Sequence, residues 1–499
     1  MYLLGYDLGS SSIKASLLDV ESGICLASDF SPHHEMRISA PQIGWAEQDP
    51  LQWWNNLCLV THSILQQADI DASDISAIGI AYQMHGLVTV DKNGEVLRPA
   101  IIWCDSRAVS LGETAFNRLG HRFCLEHLLN SPGNFTASKL SWIRKNEPEI
   151  FDRIHKIMLP GDYLAFRLTD NIQTTKSGLS EGIFWDFSQH DISRELLHVL
   201  GLSEQMLATQ TPTFGVQGYV TRQAADELGL QAGIPVTYRA GDQPNNALSL
   251  NVLNPGEIAA TAGTSGTVYG VGAKMTYDPA SRVNTFLHVN HTEKKPRFGI
   301  LLCINGAGSL NSWLKHNIAL PGTNYHELDN AAAQIPIGSE GISVIPFGNG
   351  AERILCNRDI KASFHGINFN IHDNRHLLRA SQEGIAFSLC YGIDIMKSMG
   401  LDISVIRAGN TNMFLSPVFR DSLAGVTEAE IELYDTDGSQ GAARGAGLGA
   451  GIYASPQEAF SSLRKIATVT PSSTDRASYK DAYARWNSCA SISNSFNNY

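Results

Sequence analysis

Two glycine-rich turns in the sequence could each bind phosphate groups. Each lies between two short apolar segments, one in DLGSSSIK (7–14) and the other in TAGTSGTV (261–268). Tight turns of this composition expose backbone amides, and their Ser and Thr hydroxyls add donors for phosphate oxygens. Two such turns facing each other would hold a polyphosphate, although a Gly-Ser turn can equally be an ordinary hairpin. The chain contains neither a P-loop nor a dinucleotide-binding fingerprint, so a nucleotide would need another arrangement.

Asp7 lies at the end of the first apolar segment, just before its glycine turn. A carboxylate there would face the same anion as the turn, so we expect a divalent cation between the two. Mg²⁺ prefers oxygen ligands and keeps several waters, so one or two carboxylates and phosphate oxygens would suffice. The alternative is an Asx-turn, in which Asp7 accepts hydrogen bonds from the turn amides. Lys14 could contact phosphate or lie on the surface.

Asp242 follows the apolar segment VTYRAG and precedes a helix start that contains proline. Because α/β proteins bind ligands at the carboxyl ends of strands, Asp242 could be a general base for a substrate hydroxyl. The residue would also serve as a helix N-cap, and the two roles are compatible. His85, Trp103 and Asp105 follow other strand-like segments. They would border the same crevice, unless they are an ordinary turn histidine and core residues.

The elements that must position these residues form two similar series. The first thirty residues predict three antiparallel strands, and Asp49 is the expected N-cap of a helix over 50–68. About half a chain later, near residue 235, strands again flank a Gly/Ser/Thr turn. This repeat suggests two lobes of related architecture with mixed α/β sheets. The Gly/Ala-rich segment 438–454 predicts a helix that packs closely on a sheet.

Composition favours a soluble cytoplasmic protein. The 499 residues are 43% hydrophobic and carry a net charge of -12, which would repel nucleic acid. No run approaches the roughly 20 apolar residues of a membrane span, and the start of the chain lacks a signal-peptide pattern. The eight cysteines are scattered without metal-ligand spacing, as expected in a reducing compartment. We therefore expect small-molecule partners, and neither nucleic acid nor membrane.

Seven motifs, in the same order along the chain, resemble the FGGY family of carbohydrate kinases. They are GYDLGSSSIK (5–14), GWAEQDPLQWW (44–54), YQMHG (82–86), RPAIIWCDSR (98–107), LPGDYLAFRLT (159–169), AGDQ (240–243) and TAGTSGTV (261–268). The first and last are shared with the wider superfamily of sugar kinases, actin and heat-shock chaperones. AEQDP-x-x-WW, QMHG and W-x-D resemble the D-xylulose kinases within the family.

The resemblance implies a two-lobed α/β fold, with actin-like (ribonuclease H-like) lobes and a cleft between them. The N-terminal lobe, 1–245, would bind the sugar and carry the base near its end. The C-terminal lobe, 246–490, would bind the nucleotide, and 491–499 would be a frayed tail. The implied partners are ATP and Mg²⁺ with a sugar substrate, and the family implies a homodimer.

The resemblance also implies a role for each matching position. Asp7 would orient Mg²⁺, and Ser10, Ser11, Ser12 and Lys14 would lie at the γ-phosphate. Asp242 would accept the proton of a terminal sugar hydroxyl, while the sugar would also be bound by Met84, His85, Trp103, Asp105 and Gln243. The remainder of ATP would be held by Gly263, Thr264, Ser265, Gly308, Ser312, Gly409 and Asn412.

The expected reaction is therefore the ATP-dependent phosphorylation of D-xylulose to D-xylulose 5-phosphate. Three positions depart from the family pattern. Ser10 replaces the usual Thr, Gln243-Pro244 resembles the glycerol kinase type, and Ala408-Gly409-Asn410 has fewer glycines than usual. Gln243 keeps L-ribulose, gluconate and glycerol-like polyols open as substrates. The remaining alternative is an ATPase of the same superfamily without a sugar pocket.

Overall fold

The computed structural model describes residues 1–496, with side chains described up to residue 491. In the first half of the chain the strands are β1 (Tyr2–Leu8), β2 (Ile13–Asp19), β3 (Cys25–Ser31), β4 (Glu47–Gln48), β5 (Ile75–Tyr82), β6 (Val88–Val90), β7 (Ala100–Ile101), β8 (Lys156–Met158), β9 (Gln173–Thr175), β10 (Trp185–Asp186), β11 (Asp191–Ile192), β12 (Thr209–Thr211), β13 (Phe214–Tyr219) and β14 (Pro235–Gly241). The later strands are β15 (Glu257–Ala262), β16 (Gly266–Gly272), β17 (Asn284–Leu287), β18 (Phe298–Ile304), β19 (Ser343–Ile345), β20 (Ser363–His365), β21 (Val405–Gly409), β22 (Glu430–Tyr434) and β23 (Lys465–Val469).

The α-helices are also numbered in chain order. Those of the first half are α1 (Pro50–Ala68), α2 (Val109–Leu119), α3 (His121–His127), α4 (Thr136–Asn146), α5 (Pro148–Phe151), α6 (Pro160–Thr169), α7 (Lys176–Glu181), α8 (Arg194–Leu200), α9 (Arg222–Leu228) and α10 (Asp242–Ser249). The later ones are α11 (Gly308–Asn317), α12 (Tyr325–Ala333), α13 (Asn374–Ser398), α14 (Pro417–Thr427), α15 (Gly438–Gly449), α16 (Pro456–Ala459) and α17 (Arg476–Phe496).

The chain forms two compact units. Unit 1 contains Met1–Leu253, Phe286–Phe298 and Thr436–Leu463, and the rest of the described chain forms unit 2. The first border is close to the one expected after residue 245, but two later segments return to unit 1. At the other end, residues 491–496 continue helix α17, where a frayed tail was expected, and 497–499 lie outside the described residues.

Unit 1 is built on a six-stranded sheet with the order β13-β14-β5-β1-β2-β3. Strands β1 and β14 both run parallel to β5, and β2 returns antiparallel to β1, as the hairpin pattern predicts. Leu8 and Gly241 are both aligned with Tyr82, so the carboxyl ends of the three parallel strands share one edge of the sheet. This edge is where α/β sheets bind ligands.

Helices cover both faces of the unit 1 sheet. On one face lies α1, which begins as predicted: Asp49 accepts a hydrogen bond from the Leu51 amide at 2.9 Å, and Pro50 is the first helical residue. On the other face lies α15, and Thr237 Oγ1 in β14 donates to Ala446 O at 2.8 Å. The small residues of α15 allow this close approach, which confirms the predicted helix over 438–449, while residues 450–454 lie beyond its end.

Unit 2 is built on a sheet with a strand arrangement similar to that of unit 1. Its seven-stranded sheet has the order β17-β18-β16-β15-β21-β22-β23, with β15 and β16 forming an antiparallel hairpin. Strand β21 runs parallel to both β15 and β22. A hairpin followed by two parallel strands is therefore common to both units, as the half-chain repeat of glycine turns predicts. Within residues 1–496, no helix is long and apolar enough to span a membrane.

Candidate active site

The carboxyl edge of the unit 1 sheet brings together both aspartates predicted from the sequence. Asp7 in β1 and Ala240 in β14 are each aligned with Ala81 of the strand between them, β5. Two strand spacings separate their backbones by about 10 Å. Asp242 comes two residues after Ala240, as the first residue of α10. The two carboxylates thus belong to one edge of one sheet.

Asp7 lies against the beginning of α15. A Cβ atom on Gly438, the first residue of that helix, would overlap with Asp7 Oδ2, so only glycine leaves room for the carboxylate. The preceding residue, Asp437, caps the helix by accepting from the Gln440 amide at 2.9 Å. Burial raises the pKa of Asp7 to about 6, the nearby charge of Lys14 opposes the rise, and Asp437 adds to it.

The first glycine turn is closed by its own backbone. Gly9 N donates to Ser12 O at 3.0 Å, and no hydrogen bond to the Asp7 carboxylate is made by the described residues, so the Asx-turn alternative is wrong. The carbonyl of Ser10 accepts from Gln48 Nε2 at 2.7 Å, and that of Ser11 from the Met36 amide at 2.7 Å. These bonds fix the turn while Ser11 stays exposed.

Lys14 is exposed and stands opposite Asp7 in the β1–β2 pair. This register places the lysine and the serine turn, residues 10–12, beside the same carboxylate. The residues that the family resemblance assigns to Mg²⁺ and the γ-phosphate are therefore neighbours in unit 1.

Asp242 has the properties of a base that works near neutral pH. The N-cap of α10 is Gly241, so Asp242 is the first helical residue and not the cap that the sequence allowed. Burial is the largest cause that raises its pKa to about 7, and the negative charge of Asp7 adds to the rise. Hydrogen bonds from Gln243 oppose both effects. A carboxylate with this pKa is ionised in about half of the molecules near pH 7 and can then accept a proton.

Met84 and His85 follow β5 and lie beside Asp242. A Cβ on Gly241 would come within 2.6 Å of Met84 Cγ and would overlap with Glu181 Oε2, so these groups are in direct contact with the residue before Asp242. His85 has a positive φ of 61°, and its Nδ1 lies 2.9 Å from Glu181 O. Met84, His85, Glu181 and Gly241 form one continuous cluster.

The loop that carries Trp103 lies near His85. Lys139 Nζ donates to His85 O at 2.8 Å and to Ile102 O at 3.0 Å, which places the residue before Trp103 next to His85. The Trp103 side chain is 42% exposed and is thus available to a ligand.

Asp105 has a different environment from the other predicted sugar-binding residues. It is fully buried, and Oδ2 accepts from the Ala46 amide at 2.6 Å and from Arg107 Nη2 at 2.7 Å. Arg107 in turn stacks over Trp45, with the guanidinium carbon 3.8 Å from the ring centroid. Because its carboxylate is engaged in this network, we infer that Asp105 anchors the Trp103 loop and does not contact sugar.

Lys139 and Glu181 are two residues of this region that the sequence analysis missed. Both are buried, at 0% and 2% exposure. Burial raises the pKa of Glu181 well above its usual range and lowers that of Lys139 to about 7. The only signal available for Lys139 is its position among the small residues of TASKLS, at the start of a helix whose first residues are buried in the structure.

The second glycine turn is the corresponding feature of unit 2. Gly263, Thr264 and Ser265 connect β15 to β16. Gly308 N, at the start of α11, donates to Gly263 O at 2.8 Å, and Ser309 N donates to Thr264 O at 3.2 Å. A Cβ on Gly308 would overlap with Gly263 O, so glycine is required for this contact.

The other predicted nucleotide residues lie near the same turn. Gly409 ends β21, which is parallel to β15, and Asn412 Nδ2 lies 3.5 Å from the position of a Cβ on Gly263. Ser312 is four residues after Gly308 on α11, about one turn of helix. Unit 2 thus brings its glycine turn, the start of α11 and the loop after β21 to one end of its sheet.

Asp7 fits the role of a magnesium ligand. Among the described residues, no group of three or more His, Cys, Asp or Glu side chains could hold a metal ion by itself. Mg²⁺ does not need such a group, because it takes one or two carboxylates together with water and phosphate oxygens. The half-buried carboxylate of Asp7, which accepts no hydrogen bond within the described chain, supplies oxygen ligands of this kind.

Comparisons with known proteins give a consistent result. The model for the FGGY family of carbohydrate kinases, N-terminal domain, matches residues 2–249, and that for the C-terminal domain matches 258–453. The xylulose kinase of Escherichia coli (strain K12) is 29% identical over 466 residues, which cover 93% of this chain and 92% of that protein.

Solved structures show the same fold. A "xyloylose kinase" from Brucella ovis has a TM-score of 0.89 at 26% identity and covers 100% of both chains. A gluconate kinase from Lactobacillus acidophilus has a TM-score of 0.88 at 20% identity, over 99% of this chain and 98% of that one. Kinases with different names therefore share this fold, and the fold alone does not select the sugar.

Proposed function

The chain belongs to the FGGY family of carbohydrate kinases, and we propose that it transfers the γ-phosphoryl group of ATP to D-xylulose, forming D-xylulose 5-phosphate. The observation that carries the proposal is Asp242, a carboxylate with a pKa raised to about 7 at the carboxyl edge of the sheet that also bears Asp7. Phosphoryl transfer from ATP to a sugar hydroxyl needs such a base and a metal-binding carboxylate close to it.

The charge of the sugar region favours a neutral ketose over a sugar acid. Asp242 lies at this region, and Lys139 is fully buried with its side-chain nitrogen bonded to backbone carbonyls. The carboxylate of gluconate would lie close to the Asp242 carboxylate, and Lys139, which is bonded to two backbone carbonyls, is not placed to offset that charge. The relatives named as xylulose kinases support a pentulose in particular.

The proposed chemistry is a direct transfer. The terminal hydroxyl oxygen of the sugar attacks the γ-phosphorus, the bond from that phosphorus to the bridging oxygen breaks, and ADP leaves. Asp242 accepts the hydroxyl proton as the new oxygen–phosphorus bond forms. Base assistance of this kind contributes typically about 10² to 10⁴ in rate. Met84, His85, Trp103 and Gln243 would orient the sugar so that this hydroxyl faces the phosphate.

Each glycine turn would contact phosphate groups of ATP. In unit 1, Ser10, Ser11, Ser12 and Lys14 would contact the γ-phosphate, and Asp7 would hold Mg²⁺, which supplies charge neutralisation when bound. In unit 2, Gly263, Thr264 and Ser265 would contact the other phosphates through amides and hydroxyls. Gly308, Ser312, Gly409 and Asn412 would contact the rest of the nucleotide.

An acceptor panel tests this function. ADP formation from Mg-ATP is measured with D-xylulose, L-ribulose, gluconate and glycerol as acceptors, and without acceptor. We expect the highest kcat/KM with D-xylulose and the lowest with gluconate. A higher value with another acceptor would replace the proposed substrate but keep the kinase. ATP hydrolysis that no sugar stimulates would favour the ATPase alternative and contradict the proposal.

A further inference from the structure

His85 has a backbone conformation that needs support. Its φ of 61° lies in the left-handed region, which a residue with a side chain rarely adopts. Such a conformation persists only where the surrounding structure fixes it, and it is common at ligand-binding sites. His85 lies next to Met84 in the loop that follows β5, beside Asp242. The conformation therefore sets the direction of a side chain proposed to bind sugar.

Two buried ionisable residues, Glu181 and Lys139, contact the backbone and ring of His85. The His85 amide donates to Glu181 Oε1 at 3.4 Å, and the ring nitrogen Nδ1 lies 2.9 Å from Glu181 O. The His85 carbonyl accepts from Lys139 Nζ at 2.8 Å. The rings of Phe135 and Phe286 pack on the imidazole, with centroids 4.7 and 5.5 Å away. The amide, carbonyl and ring of His85 are all held by neighbours.

Lys139 also connects His85 to the loop of Trp103. The same ammonium group donates to Ile102 O at 3.0 Å. A lysine with 0% exposure is costly to bury, and ordinary packing at this position of α4 needs only an apolar side chain. The burial lowers its pKa to about 7, which is the expected penalty. A fixed donor between two loops accounts for the presence of a lysine there.

We propose that Lys139 and Glu181 form a clamp on His85 and are positioning residues for the sugar. Lys139 holds the backbone of His85 at a fixed distance from that of Ile102, the residue before Trp103. Glu181 holds the His85 amide through its carboxyl group and the imidazole through its backbone carbonyl. Neither side chain contacts substrate. The inference rests on the proposed function, because it assigns His85 and Trp103 to the sugar and not to the nucleotide.

The variant Lys139→Met tests the clamp. Methionine is apolar and similar in length but has no donor, so the His85 and Ile102 carbonyls lose their partner. The matched control is Lys156→Met, because Lys156 Nζ also bridges two backbone carbonyls, Gln205 O and Leu207 O, both at 2.8 Å. Both variants are assayed with the best acceptor of the wild-type panel, and KM is measured separately for sugar and ATP.

We expect K139M to raise the KM for the sugar by about tenfold or more and to change the KM for ATP by less than about twofold. K156M is expected to change neither. Equal rises in both KM values, or an unchanged KM for the sugar, would overturn the clamp. A wild-type chain without sugar-dependent activity would instead overturn the proposed function.

A crystal structure of each variant provides a readout that does not depend on activity. We expect His85 to leave the positive φ region in K139M and to keep it in K156M. If K139M does not fold, Glu181→Met replaces it, since that change removes the acceptor of the His85 amide. A His85 conformation identical to the wild type in a folded clamp variant would contradict the proposal.

Discussion

At the scale of residues, the raised pKa of Asp242 suits a base that works near neutral pH, but it also means that ionising the buried carboxylate destabilises the folded protein. The pKa rises from 3.8 to about 7 because burial and the charge of Asp7 both oppose ionisation. The folded state therefore binds a proton that the unfolded chain releases. Proton binding by Asp242 therefore contributes to the free energy of unfolding. This contribution is fully present below pH 3.8, falls as the pH rises, and is lost above about pH 7.

Because the pKa of Asp242 is raised in the folded state, we predict that Asp242→Asn stabilises the protein in alkaline solution. Asparagine has no charge to bury, so we expect a melting temperature above that of the wild type at pH 8, by on the order of a few °C, and a smaller difference at pH 5. Thermal unfolding followed at both pH values measures it. The control is Asp226→Asn, the same change at an exposed position of α9. A lower melting temperature for D242N at pH 8 would be inconsistent with the burial described above.

Residues could be predicted from the sequence where their role depends on local context. Asp7 lies at the end of a strand-like segment and Asp242 follows another, and the position of both at one sheet edge follows from parallel strands. Glu181 could not be predicted, because it reaches His85 from 96 residues away in the sequence. The sequence suggests Asp105 as a ligand-binding residue, but it also offers Arg107, two residues later, as a local ion-pair partner, and the structure shows that pair.

At the scale of elements, the contact between β1 and α15 determines the position of Asp7. The sequence predicts both elements, since a Gly/Ala-rich segment suits a closely packed helix. It does not predict which sheet receives that helix, because α15 follows β1 by more than 400 residues and the pairing depends on the complete fold. The N-terminal end of α15 brings Asp437 and Gly438 to Asp7.

Gly438→Ala tests this contact. The new Cβ would overlap with Asp7 Oδ2, so the carboxylate or the helix must move. We expect kcat to fall by about tenfold or more, with a higher Mg²⁺ concentration required for half-maximal rate. The control is Gly272→Ala in β16, where the nearest atoms would be 3.7 Å from the Cβ. Unchanged kcat and Mg²⁺ dependence in G438A would contradict the assignment of Asp7 as a magnesium ligand.

At the scale of the whole molecule, one architecture occurs twice with different residues at equivalent places. The edge of the unit 1 sheet carries carboxylates and the proposed sugar-binding residues, whereas unit 2 has a glycine turn supported by α11. The repeat is visible in the sequence because both hairpins have Gly/Ser/Thr turns. The return of Phe286–Phe298 and Thr436–Leu463 to unit 1 is not visible, because it depends on contacts distant in sequence.

This division of residues between the units predicts that the binding of ATP and the binding of the sugar can be weakened separately. In Gly308→Ala the new Cβ would overlap with Gly263 O and displace the turn proposed to bind phosphate. We expect the KM for ATP to rise by about tenfold or more, with the KM for D-xylulose within about twofold of the wild type. Initial rates at varied ATP and varied sugar give both constants. A rise confined to the KM for the sugar would refute the assignment of unit 2 to the nucleotide.

The central claim is that Asp242 accepts the proton of the sugar hydroxyl, and a single-turnover experiment tests it most directly. Rapid-quench mixing of excess enzyme with radiolabelled Mg-ATP and D-xylulose measures γ-phosphoryl transfer in the wild type, D242N and the D226N control. The account predicts that D242N folds and binds ATP normally but transfers phosphate at least about 10² times more slowly, while D226N matches the wild type. Transfer by D242N within about threefold of the wild-type rate would contradict it.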